Sequence, residues 1–146
     1  NSMSDRNLEN YLQRLLTRGA YTCWQIHDKL IKKGAAEEEA DKLVEQYKEL
    51  GFLDDEAYSI LFVASHRGWG DRKLRDELRR RKVARCVIEK VLEEAESDEV
   101  QRACILAGEW KDHDIDPRRI WGRLVRRGFS PSSCRIALER TCEPFF

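Results

Sequence analysis

The chain has 146 residues, 41% hydrophobic and 37% charged, and its 27 basic residues balance 27 acidic ones for zero formal net charge. That length and apolar content suffice for one ordinary domain or three small repeats, while the charge balance excludes bulk attraction to nucleic acid or an anionic membrane. The balance persists along the chain, with 8 basic and 9 acidic residues over 1–52, 10 and 10 over 53–96, and 9 and 8 over 97–146. No apolar run approaches the roughly 18 residues a membrane helix needs, and no basic-then-apolar leader opens the chain, so a soluble, cytoplasmic protein is expected. Asn1 and Ser2 ahead of Met3 read as an expression remnant. Only 8 glycines and 3 prolines among so many charges favour long helices with charged outer faces, hence an all-α fold.

From the N-terminus, Leu8, Leu12, Leu15 and Leu16 fall at i, i+4, i+7 and i+8, the stripe of a core-facing helix over about 8–18, and Gly19 ends it. Thr22 can cap a second helix over about 23–33, striped by Cys23, Ile26, Leu30 and Ile31 and stopped by Gly34. A third starts near Ala36 with Glu37, Glu38 and Glu39 in its first turn, where carboxylates favour the positive end of the helix dipole, and Gly51 closes it. Leu53-Asp54-Asp55-Glu56 then opens a helix carrying Ala57, Ile60, Leu61 and Ala64, broken by Arg67-Gly68-Trp69-Gly70. Asp71 is expected to cap the next helix, and Val83 to Ala95 to form the one after. The last three are expected from Ser97 or Asp98 to Trp110, from Pro117 to Arg127 and from Pro131 to Thr141, both prolines fitting a first helical turn.

These segments repeat. Ile26, Leu30 and Val44 recur as Leu74, Leu78 and Leu92 and again as Ile120, Leu124 and Leu138, always with 18 residues from first to last. From Leu30 to Leu78 is 48 residues and from Leu78 to Leu124 is 46. A period of this size means stacked units that each bury an apolar face poorly alone. The expected architecture is three tandem three-helix repeats, over 1–52, 53–96 and 97–146, in an elongated, curved, right-handed-type solenoid. Such a rod offers a long lateral surface suited to macromolecular partners.

The run Gly51-Phe52-Leu53-Asp54-Asp55-Glu56-Ala57-Tyr58, then Arg67-Gly68-Trp69-Gly70, then Leu74-Arg75-Asp76-Glu77-Leu78, resembles the bacterial RecX family. The likeness is strongest over about 50–92 and weaker over the rest. Two positions depart from the family pattern: Lys82 stands where a glycine is usual, and Thr22-Cys23-Trp24-Gln25-Ile26 where S-x-x-E-L is usual. The resemblance implies three tandem three-helix units and a regulator of the RecA recombinase. It implies binding to the RecA filament on single-stranded DNA and inhibition or modulation of its ATPase, strand-exchange and coprotease activities.

Candidate partner-binding residues lie on the middle helices. Arg72, Arg75, Arg79 and Lys82 form one stripe away from Leu74 and Leu78, and Arg119, Arg123 and Arg126 form another beside Ile120 and Leu124. Arginine's planar fork suits carboxylate and phosphate, although a solvated helix face would look the same. Trp69, between two glycines, reads as packing between repeats or as an exposed anchor, whereas Trp24, Trp110 and Trp121 read as packed. A rival reading is a DNA-binding helical module acting without RecA. Against sequence-specific reading, the third helices carry Glu37, Glu38, Glu39, Glu93 and Glu94, which phosphates would repel, leaving only weak backbone contacts to single-stranded DNA. Asp54, Asp55 and Glu56 are explained as a cap and first turn, and His27, His66 and His113 have no metal-binding spacing. No cofactor, metal or enzymatic activity is expected. Cys23, Cys86, Cys104, Cys134 and Cys142 form no framework, so free thiols and a monomer are expected.

Overall fold

The structure, a computed structural model, describes residues 5–96 and 98–142; Asn1, Ser2 and the alternative cap Ser97 lie outside the described residues. Among the described residues there are nine helices and no strand: α1 (Asp5–Arg18), α2 (Cys23–Lys32), α3 (Glu37–Glu49), α4 (Asp55–Ser65), α5 (Asp71–Arg80), α6 (Arg85–Glu94), α7 (Glu99–Asp112), α8 (Pro117–Arg126) and α9 (Pro131–Thr141). Five of them, α2, α4, α7, α8 and α9, start at a short polar side chain that accepts a first-turn amide. Thr22 accepts from Gln25 while Gln25 reaches back to the Thr22 amide, and Asp98 and Gln101 make the same reciprocal pair. Asp54 and Asp116 cap α4 and α8. At α3 the exchange is half made, Glu39 accepting from the Ala36 amide.

Three starts differ from expectation, the first being α1, which begins at Asp5 rather than about Leu8. Gly70, not Asp71, is the N-cap of α5, and Asp71 occupies the first helical turn. α6 begins at Arg85 rather than Val83, because Val83 closes the preceding helix. The Val83 amide bonds the Leu78 carbonyl at 3.2 Å and the Lys82 amide bonds Arg79 at 3.0 Å. This is the paired C-terminal closure that places one residue in the left-handed region and a buried apolar residue after it. α2 ends the same way through Gly34 and Ala35, and α8 through Gly128 and Phe129. Only the middle copy uses a side-chain-bearing residue, Lys82, at φ 61°. That conformation costs an L-residue about 1 to 2 kcal/mol. The Lys82 ammonium stands 6.0 Å from the Trp24 ring centroid, a contact worth about 0.5 kcal/mol at an exposed site. Lys82→Gly is therefore expected to raise stability by about 0.5 to 1 kcal/mol in a urea melt.

Three apolar clusters match three repeats. The first gathers Leu8, Leu12, Leu15, Ile26, Leu30, Val44 and Tyr47, the second Phe62, Val63, Leu74, Leu78, Val83, Ile88 and Val91, and the third Ala103, Ala107, Ile120, Leu124, Phe129, Cys134 and Leu138. Leu53 packs into the first cluster although it opens the second repeat in sequence. It ties the α3–α4 turn downward while Asp54 starts α4. The repeat anchors Leu30, Leu78 and Leu124 are all fully buried.

Neighbouring repeats meet through their middle helices, end to end. Thr22, at the start of α2, donates its hydroxyl to the Arg81 carbonyl at the end of α5, 3.0 Å. At the equivalent place in the next junction, the Gly70 amide donates to the Arg127 carbonyl at 2.8 Å and the Arg72 amide to the Gly128 carbonyl at 3.2 Å. A carboxylate in the first turn of the following repeat completes each contact. Asp55 accepts from the Cys23 amide at 2.9 Å, and Glu99 accepts from the Asp71 amide at 3.4 Å. Amides left over at one helix start thus meet carbonyls left over at another helix end.

Candidate partner-binding surface

The residues of the middle-helix stripes do not share one environment. Arg75, on α5, makes a two-pronged pair with Glu89 of α6, Nε to Oε2 at 2.8 Å and Nη2 to Oε1 at 3.1 Å. This hydrogen-bonded pairing holds the Glu89 carboxyl below the usual carboxylate range, against the smaller opposing effect of burial. Arg72 is exposed, but its Nη2 donates to the Val125 carbonyl of the next repeat at 3.0 Å. Arg123, half-buried, lies over Trp110 with 5.3 Å between guanidinium carbon and ring centroid. Arg79, Arg119 and Arg126 are exposed and, among the described residues, make no side-chain hydrogen bond or ion pair. Lys82 is exposed beside Trp24. The stripes therefore separate into cations held by a partner, Arg72, Arg75 and Arg123, with Lys82 in a looser contact over Trp24, and the exposed Arg79, Arg119 and Arg126.

Trp69 is half-buried at the meeting of repeats two and three. Its ring stacks on His66 at 4.1 Å and tilts against Phe62 at 5.9 Å, with the Lys73 ammonium 4.3 Å from its centroid. Its carbonyl accepts from the Arg102 guanidinium at 3.3 Å. Of the two readings for Trp69, packing describes these contacts. Trp110 and Trp121 are partly buried against the third cluster as expected, whereas Trp24 is 42% exposed and is not a core residue. It lies on α2, with the Lys82 ammonium over its ring.

Sequence reasoning missed three structural arginines. Arg102 of α7 is buried and donates to Asp71 at 2.7 Å. Arg127 donates to the Gly68 carbonyl at 3.4 Å and lies over Trp110 at 5.1 Å. Arg81 bonds the Tyr58 hydroxyl at 3.0 Å and covers the Phe62 ring at 4.6 Å. Arg81 also pairs with Glu77 four residues back at 3.2 Å, which helical spacing can show, but the partners of Arg102 and Arg127 and the Tyr58 contact of Arg81 lie on other segments and leave no trace in periodicity.

Histidine behaves similarly. His27 Nε2 lies 2.8 Å from Asp41 Oδ1 and 3.3 Å from Glu37 Oε1, and these ligand-type atoms lie within 4.8 Å of one another. The sequence showed no metal-binding spacing because the carboxylates sit on the next helix. Both carboxylates are exposed, and a hydrogen-bonded link from α2 to α3 accounts for the arrangement without an ion. The five cysteines are free. Burial first, then the Asp55 carboxylate, pushes the Cys23 thiol up to about 12, and burial followed by Glu99 pushes Cys134 up to about 11. Neither is a ready thiolate nucleophile. Among the described residues no helix is long and apolar enough to cross a membrane.

Residues 54–92 match the profile of the second three-helix domain of RecX. A protein named regulatory protein RecX from Trichlorobacter lovleyi is 38% identical, the match covering 87% of this chain and 90% of that protein. The chain belongs to the RecX family. Regulatory protein RecX from Thermus thermophilus is 39% identical, with 88% of this chain and 91% of that protein covered. The crystal structure of RecX from Lactobacillus salivarius superposes with a TM-score of 0.80 at 17% identity, covering 94% of this chain and 96% of that one. A crystal structure of regulatory protein RecX gives 0.74 at 19% identity, covering 92% and 71%. These RecX structures share the fold of stacked helical repeats described here. The profile match spans α4 to most of α6, the repeat that holds Arg72, Arg75, Arg79, Lys82 and Trp69.

Proposed function

We propose that this RecX-family chain binds the RecA filament on single-stranded DNA and restrains its ATPase, strand-exchange and coprotease activities, in the cytoplasm and without catalysing a reaction itself. The relatives' name as regulatory proteins supports a regulatory role. The observation that carries the binding surface is the end-to-end row of α8, α5 and α2, along which Arg79, Arg119 and Arg126 are exposed without a side-chain hydrogen bond or ion pair among the described residues, and Lys82 is exposed beside Trp24. A row of exposed cations suits an acidic protein face and nearby phosphates, and a rod laid across neighbouring recombinase subunits would hinder duplex entry and the motions coupled to ATP turnover. Contacts to single-stranded DNA are backbone contacts of low affinity.

The test combines Arg79→Glu, Arg119→Glu and Arg126→Glu. Exposed charges contribute within about 1 kcal/mol per pair to stability, so helix content by circular dichroism should be unchanged. Filament affinity is expected to fall at least tenfold, and wild-type affinity to weaken with salt. A folded triple variant that inhibits RecA ATPase as well as wild type does would remove the middle helices from the interface. Equal wild-type affinity for naked single-stranded DNA and for the filament would instead favour the DNA-binding module acting without RecA.

A further inference from the structure

α4 is apolar on two opposite faces. Ser59, Phe62 and Val63 are buried toward the second cluster. On the far side Ala57, Ile60, Leu61 and Ala64 fall at i, i+3, i+4 and i+7, forming one continuous stripe. Ile60 is 52% and Leu61 62% exposed, and Ala57 and Ala64 are exposed as well. No charged residue interrupts the helix between Ala57 and Ser65. Beside the stripe, Ile60, Val63 and Ala64 share a groove of about 370 Å³ with Val91 and Ala95 at the end of α6, whose rim carries Arg67, Glu94, Glu96 and Arg102. An amphipathic helix on a charged protein places polar residues on its outer face, so this stripe calls for a partner.

The order of residues indicates which partner. Reversed end for end, the stripe reads the same by size, with a small residue, two large aliphatic residues and a small residue. Asp54, Asp55 and Glu56 lie at its start and Arg67 just beyond its end. An antiparallel second α4 therefore sets Ala57 against Ala64 of the second copy and Ile60 against Leu61 of the second copy. It also brings each acidic start, still net negative although Glu56 pairs with Lys90 and Asp54 and Asp55 accept backbone amides, beside the other copy's Arg67. Self-complementarity of this kind is the requirement for a two-fold contact. We infer that the outer face of α4 is a self-association surface, on which two copies of this chain pair antiparallel through Ala57, Ile60, Leu61 and Ala64. This revises the monomer expected from the sequence. The helix pairing alone falls short of the roughly 800 Å² per partner of a standard interface, so association is weak and concentration-dependent. The face lies on the first helix of its repeat, apart from the arginines proposed for filament binding.

Sedimentation equilibrium of the full chain, from about 10 µM to about 1 mM, tests this, since weak pairing in this range corresponds to the micromolar-to-millimolar scale of small interfaces. The mass average should rise toward that of a dimer for wild type. Leu61→Glu should remain a monomer throughout while keeping the wild-type melting curve. Ile105→Glu, which places the same charge at a 60% exposed apolar position on α7 outside the stripe, should associate as wild type does. A wild-type chain that stays monomeric over the whole range overturns the inference. So does equal loss of association in both variants, which would mean nonspecific sticking. A third result also overturns it: wild type stays monomeric and Leu61→Glu loses filament binding, which assigns the stripe to the filament.

Discussion

Gly70→Ala is expected to lower stability by about 3 kcal/mol or more, a fall in melting temperature of about 10 °C. A Cβ at Gly70 would stand 2.3 Å from the Gly128 carbonyl carbon and oxygen and 2.3 Å from the Phe129 nitrogen. Overpacking against side chains usually costs about 1 to 3 kcal/mol, because they can turn aside. Here the obstacles are backbone atoms held by the α8 closure, so the repeats must separate. Separation stretches the Gly70–Arg127 and Arg72–Gly128 hydrogen bonds, each worth about 1 kcal/mol net. Gly19→Ala is the control, since nothing lies within 4 Å of its added Cβ, and it should melt close to wild type. Equal melting of the two variants would mean that the junction is looser than described.

Arg102→Ala should cost about 3 to 5 kcal/mol, the range for removing one partner of a buried ion pair. Arg102 has a side chain only 4% exposed, and its loss leaves Asp71 facing a gap and the Trp69 carbonyl without the guanidinium. Arg79→Ala, at a cation with no such partner, should change stability by less than about 0.5 kcal/mol. In a double-mutant cycle, Asp71→Ala and Arg102→Ala should couple by more than about 1 kcal/mol. Additivity would show that the pair is not the strut between repeats two and three.

The contrast between Arg102 and Arg79 marks the limit of what periodicity reveals. Helical spacing finds residues that share a face, so Leu30, Leu78 and Leu124 were legible as buried anchors and the glycine-ended helices as repeats. Capping chemistry is local too, which made Thr22, Asp54 and Asp98 readable within a residue or so. Partners on other helices leave no such trace. Arg75 and Glu89 lie 14 residues apart on α5 and α6, and Arg102 and Asp71 lie 31 apart across a repeat boundary. Which cations remain available was therefore decided by packing. The outer stripe of α4 was visible as Ala57, Ile60, Leu61 and Ala64, but one apolar face looks like another until a structure shows which side is covered.

The unlike residues at the two junctions also make those junctions non-interchangeable. Gly70 needs a partner turn whose left-handed position is glycine, and it finds one in Gly128; the corresponding position of repeat two is Lys82, whose side chain would obstruct so close an approach. Thr22 reaches its neighbouring carbonyl with a hydroxyl instead, leaving room for a lysine beside it. A second copy of repeat two could not take the place of repeat three against Gly70 without the same backbone collision that the glycine pair avoids. Tandem units of similar sequence are prone to domain-swapped and misordered pairing during folding, and a mismatch at one small residue is an economical way to penalise the wrong neighbour. Lys82, costly to its own helix end, thus makes the end of repeat two unfit for the close contact that Gly128 makes with Gly70.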